Sequence, residues 1–90
     1  MVRVHFTPQL RRHIDCPDQA LVAATTVREA LEAVFARHPG AKSYVLDDQG
    51  ALRKHVAVFV DGAPLTDRRT LADRLSTEAE IHVLQALSGG

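Results

Sequence analysis

The stretch 26-TVREALEAVFARHPG-40 decides how the rest of the chain is read. Thr26 and Glu29 stand at capping-box spacing, in which the threonine hydroxyl accepts from a free amide of the first turn and the glutamate reaches back to the cap. Val27, Ala30, Leu31, Val34 and Phe35 then recur at helical spacing, leaving Arg28, Glu32 and Arg37 to face water. Pro39 disfavours helical geometry at His38, and Gly40 supplies a permissive turn, so the helix ends near His38.

Strand patterns lie on both sides of this helix. In 2-VRVHFT-7, Val2, Val4 and Phe6 alternate with Arg3, His5 and Thr7, the signature of a half-buried strand. Pro8 ends its regular pairing. The polar stretch QLRRHIDCPD predicts a loose return into QALVAA (19–24), a weaker second strand that closes a hairpin. Beyond the helix, residues 41–54 show no sustained period and read as a long, partly ordered connection. In 55-HVAVFVDG-62, Val56, Val58 and Val60 line one face and Ala57 and Phe59 the other. Such a run belongs to a strand central in its sheet, and Asp61-Gly62 is a strong turn signal. A short helical piece is predicted around 70-TLADRL-75, with Leu71 and Leu75 as its apolar contacts. In 80-EIHVLQAL-87, Ile81, Val83 and Gln85 alternate with His82, Leu84 and Ala86 in a last strand.

Strand, strand, helix, strand, short helix, strand is the order of an α+β domain: a mixed sheet with one main helix packed across one face. With the first and last strands as central neighbours, this is the β-grasp. The reading assigns residues 1–87 to a single domain and 88–90, Ser-Gly-Gly, to a flexible tail.

Composition narrows the function. Ninety residues suffice for one modest core without staples. Eleven basic and eleven acidic residues cancel, with no long run of either sign, so neither nucleic acid nor an anionic membrane is expected as a partner. No basic-then-apolar leader and no long apolar stretch is seen, and the expectation is a soluble, cytoplasmic protein. Cys16 is the single cysteine and reads as a small buried or loop thiol. The histidines His5, His13, His38, His55 and His82 include no pair at i, i+4, and no cysteine or carboxylate cluster accompanies them, so no metal site is expected. Nor is there a nucleophile-base pair or a phosphate-binding loop, so catalysis by this chain is not expected. Arg53-Lys54 and Thr66-Asp67-Arg68-Arg69 read as solvated surface, with an acidic patch on a partner as the alternative contact for either.

The end of the chain is the unusual part. The last strand runs through 81-IHVLQALSGG-90 into two glycines, a pair that chance supplies in about one chain in two hundred. Without Cβ atoms, Gly89 and Gly90 can pass a narrow channel, and Ser88 is small as well.

TVREALEAV (26–34), VAVFVDG (56–62) and IHVLQALSGG (81–90), in this order and spacing, resemble the MoaD/ThiS family of ubiquitin-like sulfur carriers. The likeness spans nearly the whole chain, from Val2 to Gly90. Ser76-Thr77-Glu78-Ala79-Glu80 departs from it, standing where such proteins commonly have a Gly-Asp turn before the last strand. The resemblance implies that the chain is a carrier and cosubstrate with no catalytic residue, metal or bound cofactor of its own. A ubiquitin-activating-type adenylyltransferase would use ATP to activate Gly90, with Gly89, Ser88 and Leu87 threading into its site. The resulting Gly90 thiocarboxylate would give its sulfur to a biosynthetic enzyme. The large subunit of molybdopterin synthase is the first choice for that acceptor; thiamin, cysteine, thiolated tRNA and sulfur-containing natural products are the others.

If Val56, Val58 and Val60 face the helix, Phe59 lies on the open side of the sheet, beside His82 and Leu84 if the two strands are neighbours. An exposed apolar cluster of this kind marks a partner surface, unless the 41–54 connection covers it through Tyr44 or Leu46. Two other readings stay open: a ubiquitin-like modifier conjugated through Gly90, and a β-grasp interaction domain whose Gly-Gly end is incidental.

Overall fold

Alternation in the chain becomes a five-stranded sheet in the computed structural model, which describes residues 1–86. The strands are β1 (Val2–Phe6), β2 (Gln19–Val22), β3 (Val56–Val60), β4 (Ala63–Pro64) and β5 (Glu80–Gln85), in the spatial order β2-β1-β5-β3-β4. β1 and β5 run parallel, and the other three pairings are antiparallel. The first and last strands are therefore central neighbours, and the fold is the expected β-grasp. The expected boundary between Leu87 and Ser88 lies outside the described residues.

Register sets the core. Phe6, Val83 and Val58 form one row across β1, β5 and β3, and Val4, Ile81 and Val60 form the next. All but the half-buried Val60 are buried on this face. Against it lies α2 (Val27–Arg37), which buries Val27, Ala30, Leu31, Val34 and Phe35, the five residues its spacing singled out. Each large side chain buried there contributes roughly 1.5–3 kcal/mol, which makes this contact the main source of stability.

The start of α2 is secured twice. Thr26 Oγ1 accepts from Glu29 N (3.2 Å), as the capping box requires. The Glu29 carboxylate reaches one residue beyond the cap, accepting from Thr25 N (2.8 Å) and Thr25 Oγ1 (2.9 Å). The amides of Val27 and Arg28 donate to the carbonyls of Asp73 and Leu71. Arg28, expected in water, is half-buried: its guanidinium donates to the carbonyls of Thr70 (2.8 Å) and Gly50 and pairs with Glu32.

Three segments depart from expectation. The return after Pro8 contains a helical turn, α1 (Pro8–Arg11), begun by Thr7 and buried through Leu10. Residues 41–54 are more ordered than the long, partly ordered connection expected, because Pro39 starts a second helix, α3 (Pro39–Val45), directly after α2. Proline fits the first turn of a helix as well as it ends the preceding one. Ala41, Val45, Leu46 and Leu52 all enter the core, and Asp47 Oδ1 turns the chain between them by accepting from Gln49 N and Ala51 N.

The helix expected around 70-TLADRL-75 does not form. Two aspartates organise these residues instead. The Asp73 carboxylate accepts from Thr66 N, Thr66 Oγ1 and Asp67 N, while the Asp67 carboxylate accepts from Thr70 Oγ1, Thr70 N and Arg69 N. Side-chain acceptors of this kind compete with helical hydrogen bonding, and Leu71 leaves helical space at φ 55°. Leu71 is nevertheless fully buried. The Asp61-Gly62 turn is as read: both residues have positive φ, 50° and 86°, and join β3 to β4 as a two-residue hairpin.

Candidate functional site

β5 lies at the centre of the sheet, and its outward residues Glu80, His82 and Leu84 occupy the face that α2 does not cover. His82 stands between His5 of β1 and Phe59 of β3, its register partners on either side. Leu84, the next outward residue, pairs with Ala57. Phe59 and Leu84 are half-buried and His82 is exposed. The three residues expected to form a partner surface are thus brought together. The two residues that could have covered them point elsewhere: Leu46 is in the core, and Tyr44 packs at the end of β5.

Beside Phe59 the face becomes polar. The His5 and His82 rings stack at 4.4 Å between centroids and 7° between planes. His5 Nε2 lies 2.6 Å from Glu80 Oε1, and Arg3 Nη1 lies 3.3 Å from Glu80 Oε2. The hydrogen bond with His5 holds the Glu80 carboxyl below its ordinary pKa, with the Arg3 charge adding to the effect. The expectation that no carboxylate accompanies the histidines is corrected here, since His5, His82 and Glu80 form one cluster. Their spacing along the chain conceals it. Only the parallel pairing of β1 with β5 sets residue 5 against residue 82. One signal was present, since the alternation of 2-VRVHFT-7 already put Arg3 and His5 on the side away from the core.

The end of β5 is held from both sides. Thr7 N donates to Val83 O (3.2 Å) on one side and Ala86 N to His55 O (2.8 Å) on the other. Tyr44 Oη donates to Gln85 Oε1 (3.2 Å), stacks on His13 at 5.3 Å and meets the edge of His55 at 4.5 Å. The strand is thus anchored up to Ala86. Leu87, Ser88, Gly89 and Gly90, all expected in the site, lie outside the described residues.

Cys16 takes no part in either region. It is half-buried against the core, and desolvation pushes its thiol pKa up, with Arg11 opposing and Asp15 adding to the shift. A protonated thiol is a weak nucleophile. Among the described residues, no helix is long and apolar enough to cross a membrane.

Comparison with known proteins places this geometry. The sequence profile of the ThiS family matches residues 8–90. The chain belongs to the ThiS family. Among curated proteins, none matches this ThiS-family chain significantly in sequence. Solved structures do match its fold. A chain of the Amycolatopsis orientalis BexX/CysO complex is 22% identical, with both chains covered completely and a TM-score of 0.81. CysO of Mycobacterium tuberculosis, described as an antigen, is 19% identical over 97% of this chain and 100% of its own, with a TM-score of 0.81. SAMP1 of Haloferax volcanii is 23% identical over 99% and 98%, with a TM-score of 0.76. At these identities the likeness is one of fold, and it covers the whole ubiquitin-like domain of this ThiS-family protein.

Proposed function

We propose that this protein is a sulfur carrier whose C-terminal Gly90 is the working group. The observation that supports the reading is the family match through Gly90, taken together with how β5 is anchored. The central strand is held to Ala86 by hydrogen bonds on both sides, and the stretch matched by the ThiS family runs on from it through Gly90, four positions further along. Four residues reach at most about 14 Å, enough to enter an active-site cleft from a rigid base.

A carboxylate is a poor electrophile and must be activated first. A Gly90 carboxylate oxygen attacks the α-phosphorus of ATP in the site of a ubiquitin-activating-type adenylyltransferase. Pyrophosphate leaves, and the acyl-adenylate remains. Hydrosulfide, or a donor equivalent to it, then attacks the glycyl carbonyl carbon and expels AMP, so that a C–S bond replaces the C–O bond to AMP. The thiocarboxylate is a soft nucleophile on a narrow arm, which a sulfur-accepting biosynthetic enzyme receives. Molybdopterin synthase is one acceptor of this class. The protein supplies no group to the chemistry beyond its own terminus. It supplies a docking face in Phe59, His82 and Leu84, whose apolar part suits an activating enzyme that must hold the domain while the tail is threaded.

A second reading is favoured by the fold shared with the small archaeal modifier protein 1 of Haloferax volcanii. A lysine amine would attack the same acyl-adenylate carbonyl and give an isopeptide. The intact mass of the protein recovered from its host separates the two. A gain of about 16 Da at the last residue, oxygen replaced by sulfur, supports the carrier. Covalent ladders on other proteins with an unmodified free pool support the modifier.

A further inference from the structure

The open face holds a donor set that tail chemistry leaves unused. His5, Glu80 and His82 each offer one ligand atom, and these atoms all lie within 4.8 Å of one another. They come from two adjacent parallel strands, whose ladder fixes the backbones about 4.8 Å apart whatever the side chains do. Glu80 and His82 are two residues apart on β5 and share a face, and His5 is the register partner of His82.

We propose that His5, Glu80 and His82 bind one divalent transition-metal ion, with zinc the best match. Two imidazole nitrogens and one carboxylate oxygen are a borderline donor set that suits zinc and excludes calcium and magnesium, which take oxygen ligands. Zinc takes such ligands at about 2.0–2.2 Å, so ligand atoms around it stand about 3.3 Å apart. The three ligand atoms, all within 4.8 Å of one another, reach that spacing by rotation of the two imidazoles and the carboxylate. His5 Nε2 and Glu80 Oε1, hydrogen-bonded to each other at 2.6 Å, part to about 3.3 Å to share the ion. The proton between them leaves when the ion enters, since a ligating imidazole must be free of it on that nitrogen. The ring stack opens as the second nitrogen turns inward.

The surroundings set the character of the site. All three ligands are partly open to water, with side-chain exposures of 27% for His5 and 42% for Glu80. The core beneath is complete without an ion, so this is an accessory site and folding does not depend on it. Three protein ligands leave the outward position for water or for a donor brought by a partner. Arg3, paired with the other Glu80 oxygen, competes for the carboxylate and keeps the affinity moderate.

The test is calorimetric titration of the 90-residue chain with Zn²⁺, paralleled by ¹H–¹⁵N spectra of its histidine side chains. One ion per chain is expected, with the His5 and His82 ring signals moving while those of His13, His38 and His55 stay. His5→Ala, His82→Ala and Glu80→Gln should each weaken binding at least about tenfold, since even loss of a group that only supports a ligand costs 10–100-fold. His13→Ala should leave the affinity unchanged. Absence of saturable binding, or saturation accompanied by movement of the His13 and His55 signals alone, would overturn the proposal. The wild-type spectra distinguish these outcomes even if a variant folds poorly.

Discussion

Phe59 and His82 face one another across the β3–β5 pair as register partners on the side of the sheet that α2 leaves open. An aromatic ring beside an exposed imidazole, with Leu84 one step further along, gives the face an apolar centre and a polar edge. Interfaces of moderate size are built in this way.

Phe59→Ala should therefore weaken binding of the activating enzyme by about 1–3 kcal/mol, the loss expected of an aromatic anchor. Because Phe59 is only half-buried, the same change should cost about 1 kcal/mol of stability, a fall in Tm of about 4–8 °C for a domain of this size. Calorimetric melting and a titration against the enzyme check both. A collapse of stability with unchanged affinity would assign the ring to the core.

Val58 tests the opposite face. It is 2% exposed and lies opposite Val83 in the row that meets α2. Val58→Asp places an unpaired carboxylate there and should destabilise the fold by several kcal/mol, a large share of the roughly 5–15 kcal/mol typical of a domain. Urea unfolding is the measurement. A variant that unfolds at the parent's midpoint would contradict the assignment of faces.

Asp67 predicts the acid behaviour of the 66–74 loop. Hydrogen bonds from Thr70 Oγ1, Thr70 N and Arg69 N lower its carboxyl to a pKa of about 2, from an ordinary 3.8. A folded-state value below the unfolded one means that the ionised form stabilises the loop above about pH 4. That contribution is lost as the pH falls through about 2. In NMR spectra the Arg69 and Thr70 amides should hold their shifts to below about pH 3 and then move together. Movement centred near 3.8 would show that the carboxyl does not organise the loop.

Much of this was legible in local pattern, and the exceptions have physical causes. The alternation of Val2, Val4 and Phe6, the stripe of α2 and the Asp61-Gly62 turn each follow from short-range chemistry, and each appears in the fold. The short helices α1 and α3 escaped because four to seven residues cannot show a period, and because proline ends one helix and begins another with the same ring. Leu71 and Leu75 suggested a helix through their spacing, while the decisive groups were the carboxylates of Asp67 and Asp73. At the site, strand alternation set Phe59 on the open face, and the pairing of β3 with β5 put it beside His82 and Leu84. His5 and Glu80 could not be joined to them until the parallel register of β1 on β5 brought together residues 75 positions apart.

That Gly90 is the activated group is tested most directly by following pyrophosphate release and the intact mass of the protein together. With the activating enzyme, ATP and a sulfide donor, the wild-type chain should release pyrophosphate and gain about 16 Da on its last residue. Deleting Gly90 should abolish both without altering the melting curve, since the first and last few residues of most domains contribute little to stability. Gly89→Val should suppress them too, because a branched side chain would have to enter a channel shaped for bare backbone. Pyrophosphate release and mass gain in the chain lacking Gly90, at the wild-type level, would contradict the carrier and the modifier readings alike.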